Sequence, residues 1–416
     1  MIRQFVPNKS QNNLENLLFF LFSFYPIAFL LGNFVINLFL IIFNLLLILS
    51  FLLKKYDLNN INKHVVYLLL FLFVSFIINL IFSKDITLTY PRVFKFLLII
   101  GSILSFRHLL CCFKKDDINK LYKIWSIIFL IVILDIIFEL LFKSNIVGMS
   151  SFIPGRVASF TGNELNIGHF FSGFCLLFMS FIFANYKKIS FQFFIAIFLI
   201  ILSFLIGERS NFIRSLLIIL SFVFLIFEIK IKYKIFSSLF LISLIFIILN
   251  SNPGYKLRYI DQFAKVLANK GINHYFENSV YGAHYNVAFE IFKDNKIFGT
   301  GIKNFRVESY SKKYDNLNHK FNDRRANTHP HQIHYEFLSE TGLFGYFTFA
   351  IFILFSFYLC LKEYFKSRNL YQLSSMLFVL ISLLPLLPSG SFFSTYTSGL
   401  FWLNYAIMVG YINKTN

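Results

Sequence analysis

Three histidines and two arginines crowd one short stretch of this chain: Arg324-Arg325-Ala326-Asn327-Thr328-His329-Pro330-His331-Gln332-Ile333-His334-Tyr335-Glu336. An apolar run follows directly, so the histidines fall at the start of a helix, where unpaired N–H groups and the positive dipole end lie. Arginine adds paired donors that match phosphate oxygens, and histidine adds a group that exchanges a proton near neutral pH. Together these favour binding of a phosphate or diphosphate with acid–base chemistry beside it. Two other readings stay open: the histidines ligate a metal, or they pack at an interface without chemistry. No Cys lies near them and the H-E-x-x-H spacing is absent, which counts against the metal.

Charged residues interrupt apolar sequence at three further places. Gly207-Glu208-Arg209-Ser210-Asn211 separates two apolar runs, with Arg214 one turn on; charges so placed face a partner, a cavity or a ligand, or else the arginine snorkels from a simple turn. Arg156 stands in a Pro-Gly-Arg loop near Asn163 and Asn166. Asp135 and Glu139 lie one helical turn apart inside an apolar run, so they share a face. A transporter would use them as ion sites, but pairing with an arginine near the outer end is the expected role. No P-loop, dinucleotide fingerprint or G-x-S-x-G occurs, which removes support for ATP-driven and hydrolase chemistry.

The elements that must position these residues are membrane helices. The 416 residues are 57% hydrophobic and 14% charged, with a mean hydropathy of +0.67, against roughly 25% charged residues in soluble domains. A bilayer crossing takes about 20 mostly apolar residues, and twelve such runs occur: near 17–31, 35–53, 65–82, 93–110, 121–142, 165–185, 190–206, 211–228, 235–250, 335–361, 372–388 and 399–412. They show neither strict alternation nor ten-residue pacing, which disfavours a transmembrane barrel. The expected fold is therefore all-α, a polytopic membrane protein of about twelve helices, with 1–250 holding the first nine, 251–334 a large external loop and 335–416 the last three.

Positive residues resist translocation when they sit in short loops. Nineteen of the 39 Lys and Arg fall on one side of the predicted topology and seven on the other, with thirteen in the long loop. This puts both termini in the cytoplasm and the loop outside. No small-residue cleavage site follows the first run, so an uncleaved first helix is expected. Cys111, Cys112, Cys175 and Cys360 lie in or beside helices, none in the loop, which suggests neither a disulfide framework nor a zinc site. Within the loop, the periodic stretch Tyr285–Phe292 and the turn Phe298-Gly299-Thr300-Gly301 predict a small helical cap. Its surplus of about six positive charges attracts anions and gives no motif for nucleic acid.

Several of these segments, in order, resemble the O-antigen ligase and O-antigen polymerase superfamily. His331-Gln332, nine residues, Gly342, two residues, Gly345 matches its H-[N/S/Q]-x9-G-x-x-G signature, preceded by Thr328-His329-Pro330. Ile291–Arg306 resembles its "hPlfGvGxxnF" segment, Gly207–Phe212 its outer arginine motif, Arg156–Gly168 its "R…fgNpN.lG" loop, and Pro388–Phe393 a motif before its last helix. The matches span about 150–405. The resemblance implies a membrane glycosyltransferase of the C type in the bacterial inner membrane, with a periplasmic active site. It would transfer, with inversion and without metal or cofactor, a glycan carried on undecaprenyl diphosphate. A polymerase passes the chain to the next lipid-linked repeat, a ligase to lipid A core, and the forms of the 207–212 and 388–393 segments lean towards polymerase. A chain-length regulator or a flippase is a candidate partner, and nucleic acid is not.

On this reading His331 is the candidate base or diphosphate ligand, and Arg209 the candidate donor to the leaving diphosphate. Arg156, His329, Arg306, Arg324, Arg325, Gln332 and Glu208 are candidates for diphosphate or glycan binding. Many relatives carry an arginine at the segment Tyr281–Tyr285, where this chain has none; His284 is the candidate substitute. A transporter or flippase of lipid-linked sugars is the alternative of another class, and it requires charges lining a path through the bilayer.

Overall fold

A computed structural model of the chain describes residues 13–54, 62–226, 253–385 and 387–412, with Leu239, Ser243 and Phe246 between them. In hydrocarbon every backbone N–H and C=O must pair within its own segment, and the described apolar runs are helices: α1 (Asn13–Leu31), α2 (Asn33–Leu52), α3 (Lys63–Ile81), α4 (Ile86–Cys112), α5 (Lys115–Phe142), α6 (Ile167–Asn185), α7 (Ile189–Leu205) and α8 (Arg209–Ile226). After the loop come α11 (Ile333–Ser367), α12 (Leu370–Ser382) and α13 (Tyr396–Gly410). Eight of these are long and apolar enough to cross a membrane, and no strand occurs among the described residues. The chain is a polytopic helical membrane protein. The expected span at 235–250 lies outside the described residues.

Local sequence sets the helix ends. Asn62, Asp85, Gln332 and Asn369 each accept a backbone N–H from the first turn that follows them, as capping side chains do. Because Asp85 starts α4 two turns before the apolar run at 93, Arg92 and Lys95 sit inside that helix. α12 stops at Ser382 and not at 388. Pro385 and Pro388 cannot continue it, and the chain from 383 to 395 instead folds back across the bundle end.

α6 is the most enclosed span, with 83% of its apolar window buried, whereas α2 and α3 bury 33% and face outward. α6 packs against α5, α7, α8 and α12; α13 packs on α4 and α12; α3 packs on α4 and α11. Buried side chains from every span join one continuous apolar core, while Phe34, Leu52 and Leu354 stand exposed on the rim, as lipid-facing residues do. The loop is helical, with α9 (Lys265–Glu277) and α10 (Val280–Asp294). Val287, Ala288 and Ile291 of α10 close a small second core with Phe305 and Tyr314.

Candidate functional site

Two glycine-containing segments lock together to build the site. Gly342 has φ 64° and breaks α11 into a short first part and the long span. The break frees the N–H groups of Leu343 and Phe344, which donate to Lys296 O at 2.8 Å and Ile297 O at 3.0 Å. A Cβ on Gly342 would lie 2.4 Å from Ile297 O, so the position requires glycine both for its backbone angle and for this approach. Across the joint, Thr300 N and Gly301 N donate to Ser339 O and Glu340 O. The Asn79 side chain on α3 pins both partners, donating to Phe298 O and Glu340 O and accepting from Ile302 N. The Glu340 carboxylate accepts from Lys303 N and Phe305 N.

This joint holds His331 against the loop. His331 has φ 58°, a left-handed angle that costs a residue with a Cβ about 1–2 kcal/mol. Ser389 N donates to its carbonyl at 2.7 Å. His329 lies 4.0 Å from it ring to ring, His284 5.4 Å, and the Tyr281 ring meets it edge-on at 5.5 Å. Burial and the neighbouring His329 and His284 push His331 down to about 3, the Ser389 backbone opposing. Burial with Lys303 beside it pushes His329 to about 3 as well, and burial lowers His284. All three rings are uncharged at neutral pH.

Asn327 fixes which nitrogens carry protons. Thr328 N donates to its Oδ1 at 2.7 Å, so the amide nitrogen faces the rings, 3.2 Å from His284 Nε2 and 3.1 Å from His331 Nε2. An NH2 group only donates, so both Nε2 atoms hold lone pairs and both Nδ1 atoms hold the proton. His284 Nδ1 agrees, since it donates to Arg325 O at 2.9 Å.

Two cations, Lys303 and Arg306, stand near the histidines. Lys303, only 4% exposed and also at positive φ (68°), reaches Glu336, 3.6 Å from Nζ to Oε1, and Ser391 Oγ. Glu336 also takes Ser391 Oγ and Phe392 N. Lys303 and Arg306 act electrostatically on His329, Arg306 on Arg92, and Lys303 on Lys95. Lys95 donates to Thr395 Oγ1 at 2.8 Å. Arg92, Lys95, Lys303 and Asn327 carried no expected role. α4 was expected to start later, Lys303 hides in a glycine turn, and Asn327 could have been found only from its spacing of four before His331.

The arginine motif of α8 joins from the side. Gly207, at φ 80°, lies against Gly155 so closely that a Cβ would meet its carbonyl oxygen. This brings Arg156 Nη2 within 2.7 Å of Glu208 Oε1. Glu208 further accepts from Asn211 Nδ2 and from Gly168 N, so its oxygens are taken up in holding Arg156. Arg214 donates to Asn211 Oδ1 and to Pro388 O at 2.7 Å. Pro388 adjoins Ser389, the partner of His331, so α8 and the histidines meet at one end of the bundle. Arg209, half-buried, opens α8 at that end. His169 and Arg214 line a cavity of about 50 Å³ there together with Ile333, Ser389 and Gly390.

Buried polar atoms without a protein partner gather in this region: His329 Nε2, Ser389 Oγ and the Nε atoms of Arg156, Arg214 and Arg306. Buried polar groups are ordinarily satisfied, and four of these five are donors or can donate to an anion.

The other expected residues lie differently. His334 turns away to Tyr346 and Leu383 O, and His284, 47 residues before His331, takes its place in the cluster. Gln332 is buried and caps its own helix by accepting from Tyr335 N. Arg325 ties the loop together through Asp315, Ser311 O and Asn322 O, while Arg324 is exposed near Asp323. Among the described residues, Asp135 and Glu139 pair with no arginine. Asp135 accepts from Ile146 N and Ser159 Oγ, and Glu139 from Ala158 N and Ser159 N, because the 145–159 loop needs acceptors for its buried N–H groups. Among the described residues the side chains close enough to share a metal are Glu15, His108 and Cys112, at the opposite end of α4.

No curated protein matches the chain. Residues 194–350 match the family model described as O-Antigen ligase. That stretch carries the arginine motif, the glycine turn, the histidine cluster and the break at Gly342, so this part of a helical membrane protein is similar to the O-antigen ligase family.

Proposed function

We propose that the chain is a surface-polysaccharide polymerase of the O-antigen type, a metal-independent inverting glycosyltransferase acting on glycan linked to undecaprenyl diphosphate. The observation that carries this reading is the gathering of neutral histidines, Arg156, Arg209 and Arg306 at one bundle end, with the Nε atoms of Arg156 and Arg306 buried and unsatisfied. Both termini would be cytoplasmic and the site periplasmic, in the inner membrane. The chain would comprise spans over 1–250 and 335–416 with the 251–334 loop as cap.

The acceptor hydroxyl oxygen bonds to the anomeric carbon as the bond from that carbon to the diphosphate oxygen breaks, and the electron pair leaves with the diphosphate. Arg209, Arg306 and Arg156 stabilise the charge that develops there. Glu208 keeps Arg156 in place. The hydroxyl proton passes to His331 Nε2, whose lone pair Asn327 caps until the acceptor displaces it. Nδ1–H remains as a donor. His331 is buried and neutral, so it accepts a proton at neutral pH without first losing one, and a nearby diphosphate raises its proton affinity at the moment of transfer.

A flippase would use intramembrane carboxylates, and Asp135 and Glu139 are already engaged by backbone N–H groups. The test between polymerase and ligase is a lipopolysaccharide gel of a deletion strain, read with its undecaprenyl-linked glycan pool. Core carrying a single repeat supports the polymerase. Bare core, with long polymer kept on undecaprenyl diphosphate, supports the ligase.

A further inference from the structure

From its cap beside the glycine turn, where Asp85 N donates to Asn304 Oδ1, α4 runs 27 residues to the far end of the bundle, about 40 Å. There its last turns pack on the start of α1. The rings of Phe19 and Phe113 lie 4.9 Å apart and those of Phe22 and Phe106 5.2 Å, all four buried. This joint carries a histidine, a cysteine and a glutamate. His108 and Cys112 are four residues apart on α4, so both leave the same face of the helix. Glu15 stands opposite them in the first turn of α1. One ligand atom from each of the three lies within 4.8 Å of the other two, and Cys112 Sγ is 3.6 Å from the His108 ring nitrogens. His108 is 6% exposed, whereas Cys112 and Glu15 are half-buried, which leaves a way in from solvent.

This spacing matches a tetrahedral zinc site. Zinc binds sulfur at about 2.3 Å and imidazole nitrogen at about 2.0 Å, and bonds of those lengths at the tetrahedral angle put the two ligand atoms about 3.5 Å apart. Cys112 and His108 already stand at that separation. Without an ion the trio holds together through Glu15, which accepts from the Cys112 thiol and acts electrostatically on His108. A thiol is a weak donor and adds little to such a trio, whereas its thiolate is a preferred zinc ligand. Sulfur, nitrogen and oxygen together suit this borderline-soft ion, while magnesium and calcium take oxygen alone.

We propose that Glu15, His108 and Cys112 bind one zinc ion, with water in the fourth position, and that the ion ties the start of α1 to the end of α4. The thiol binds as thiolate and the imidazole as the neutral ring, so the thiol proton passes to solvent on binding. The cysteine spacing shows nothing of the site, because one of its ligands comes from another helix. The inference rests on these three side chains and not on the transferase reading.

The test uses the purified full chain in detergent, freed of any histidine tag and stripped with a chelator. Zinc chloride is added, in parallel with magnesium chloride; bound metal is measured by elemental analysis and stability by thermal unfolding. About one zinc per chain is expected, with a raised midpoint because the ion binds the folded chain, and magnesium should do neither. Cobalt in place of zinc should show the near-ultraviolet absorption of a thiolate–cobalt bond, which hydrogen bonding does not produce. Cys112→Ser and Glu15→Gln keep hydrogen-bonding atoms, yet each should bind zinc at least about tenfold more weakly, the loss that even a supporting residue causes. Cys112→Ser should also lose the cobalt band. Cys111→Ser and the His329→Gln, His331→Gln variant should bind as the wild type does. No uptake by the wild type, equal uptake of magnesium, full affinity in Cys112→Ser or loss in the variant of the distant histidines would each overturn the assignment. Should Cys112→Ser fail to fold, Glu15→Gln gives the same comparison on a half-buried side chain. Chelation should lower the midpoint and leave sugar transfer running. A halt in transfer with zinc binding still lost in Cys112→Ser would count against the metal-independent transferase and leave this site standing.

Discussion

Replacing Lys303 by Met tests how the glycine turn and the start of α11 are fastened beside the histidines. Its Nζ lies 3.6 Å from Glu336 Oε1, with 5% and 1% of the two side chains exposed. At an effective dielectric near 20 their attraction is about 4 to 5 kcal/mol. The lone Met leaves Glu336 buried with only Ser391 and Phe392 N as partners, and breaking a buried pair costs about 3–5 kcal/mol. Glu336→Gln should cost a similar amount by stranding Lys303. The double variant should cost less than the sum, with a coupling of about 2–3 kcal/mol. The assay is reversible unfolding of the purified protein in mixed micelles, wild type, two singles and the double, with sugar transfer measured alongside. Additive single effects, with coupling below about 0.5 kcal/mol, would refute the ion pair as the fastening.

Asn327→Leu should lower kcat by about a hundredfold or more, since it frees both Nε2 atoms and lets the His331 tautomers interchange; retained turnover would contradict its positioning role. Because His331 and His329 are pushed down to about 3, kcat/KM should show no acid limb between pH 8 and 5, and a limb near 6.5 would contradict their burial. Asn327→Asp places an anion against both rings, raising their proton affinity, so an acid limb should appear and move towards neutral pH. The same depressed values bear on stability. The unfolded chain takes up protons below about 6.5 that the native rings refuse until about 3, so stability should fall as pH drops through that window, and the fall should be smaller in the His329→Gln, His331→Gln variant. Gly342→Ala should destabilise by more than the roughly 1–2 kcal/mol of a left-handed alanine, because its Cβ also meets Ile297 O. A variant within about 0.5 kcal/mol of wild type would mean that the joint yields.

The spans were legible because hydrocarbon forces whole helices and leaves runs of about twenty apolar residues in the sequence. The arginine motif, the glycine turn and the histidine signature were legible as separate segments. What joins them was not. Asn79 reads as one polar residue in an apolar run, yet it ties α3 to both Phe298 and Glu340. His284 lies 47 residues from His331, and only the folding of α10 over the bundle end brings the rings together. Asp135 and Glu139 invited pairing with arginine because composition shows side-chain charges and not the backbone N–H groups of a buried loop. Arg92 and Lys95 were read as a helix edge because an apolar window starts after them, whereas the Asp85 cap starts α4 earlier.

On the proposed function, transfer from a lipid-linked diphosphate depends on His331 and Arg209. Its most direct test reconstitutes the purified chain in liposomes with an undecaprenyl-diphosphate-linked oligosaccharide and follows chain growth and release of undecaprenyl diphosphate. The wild type should extend the chain in the presence of a chelator, and His331→Ala and Arg209→Ala should not, despite normal membrane insertion and unfolding. Growth at an undiminished rate by either variant would contradict it.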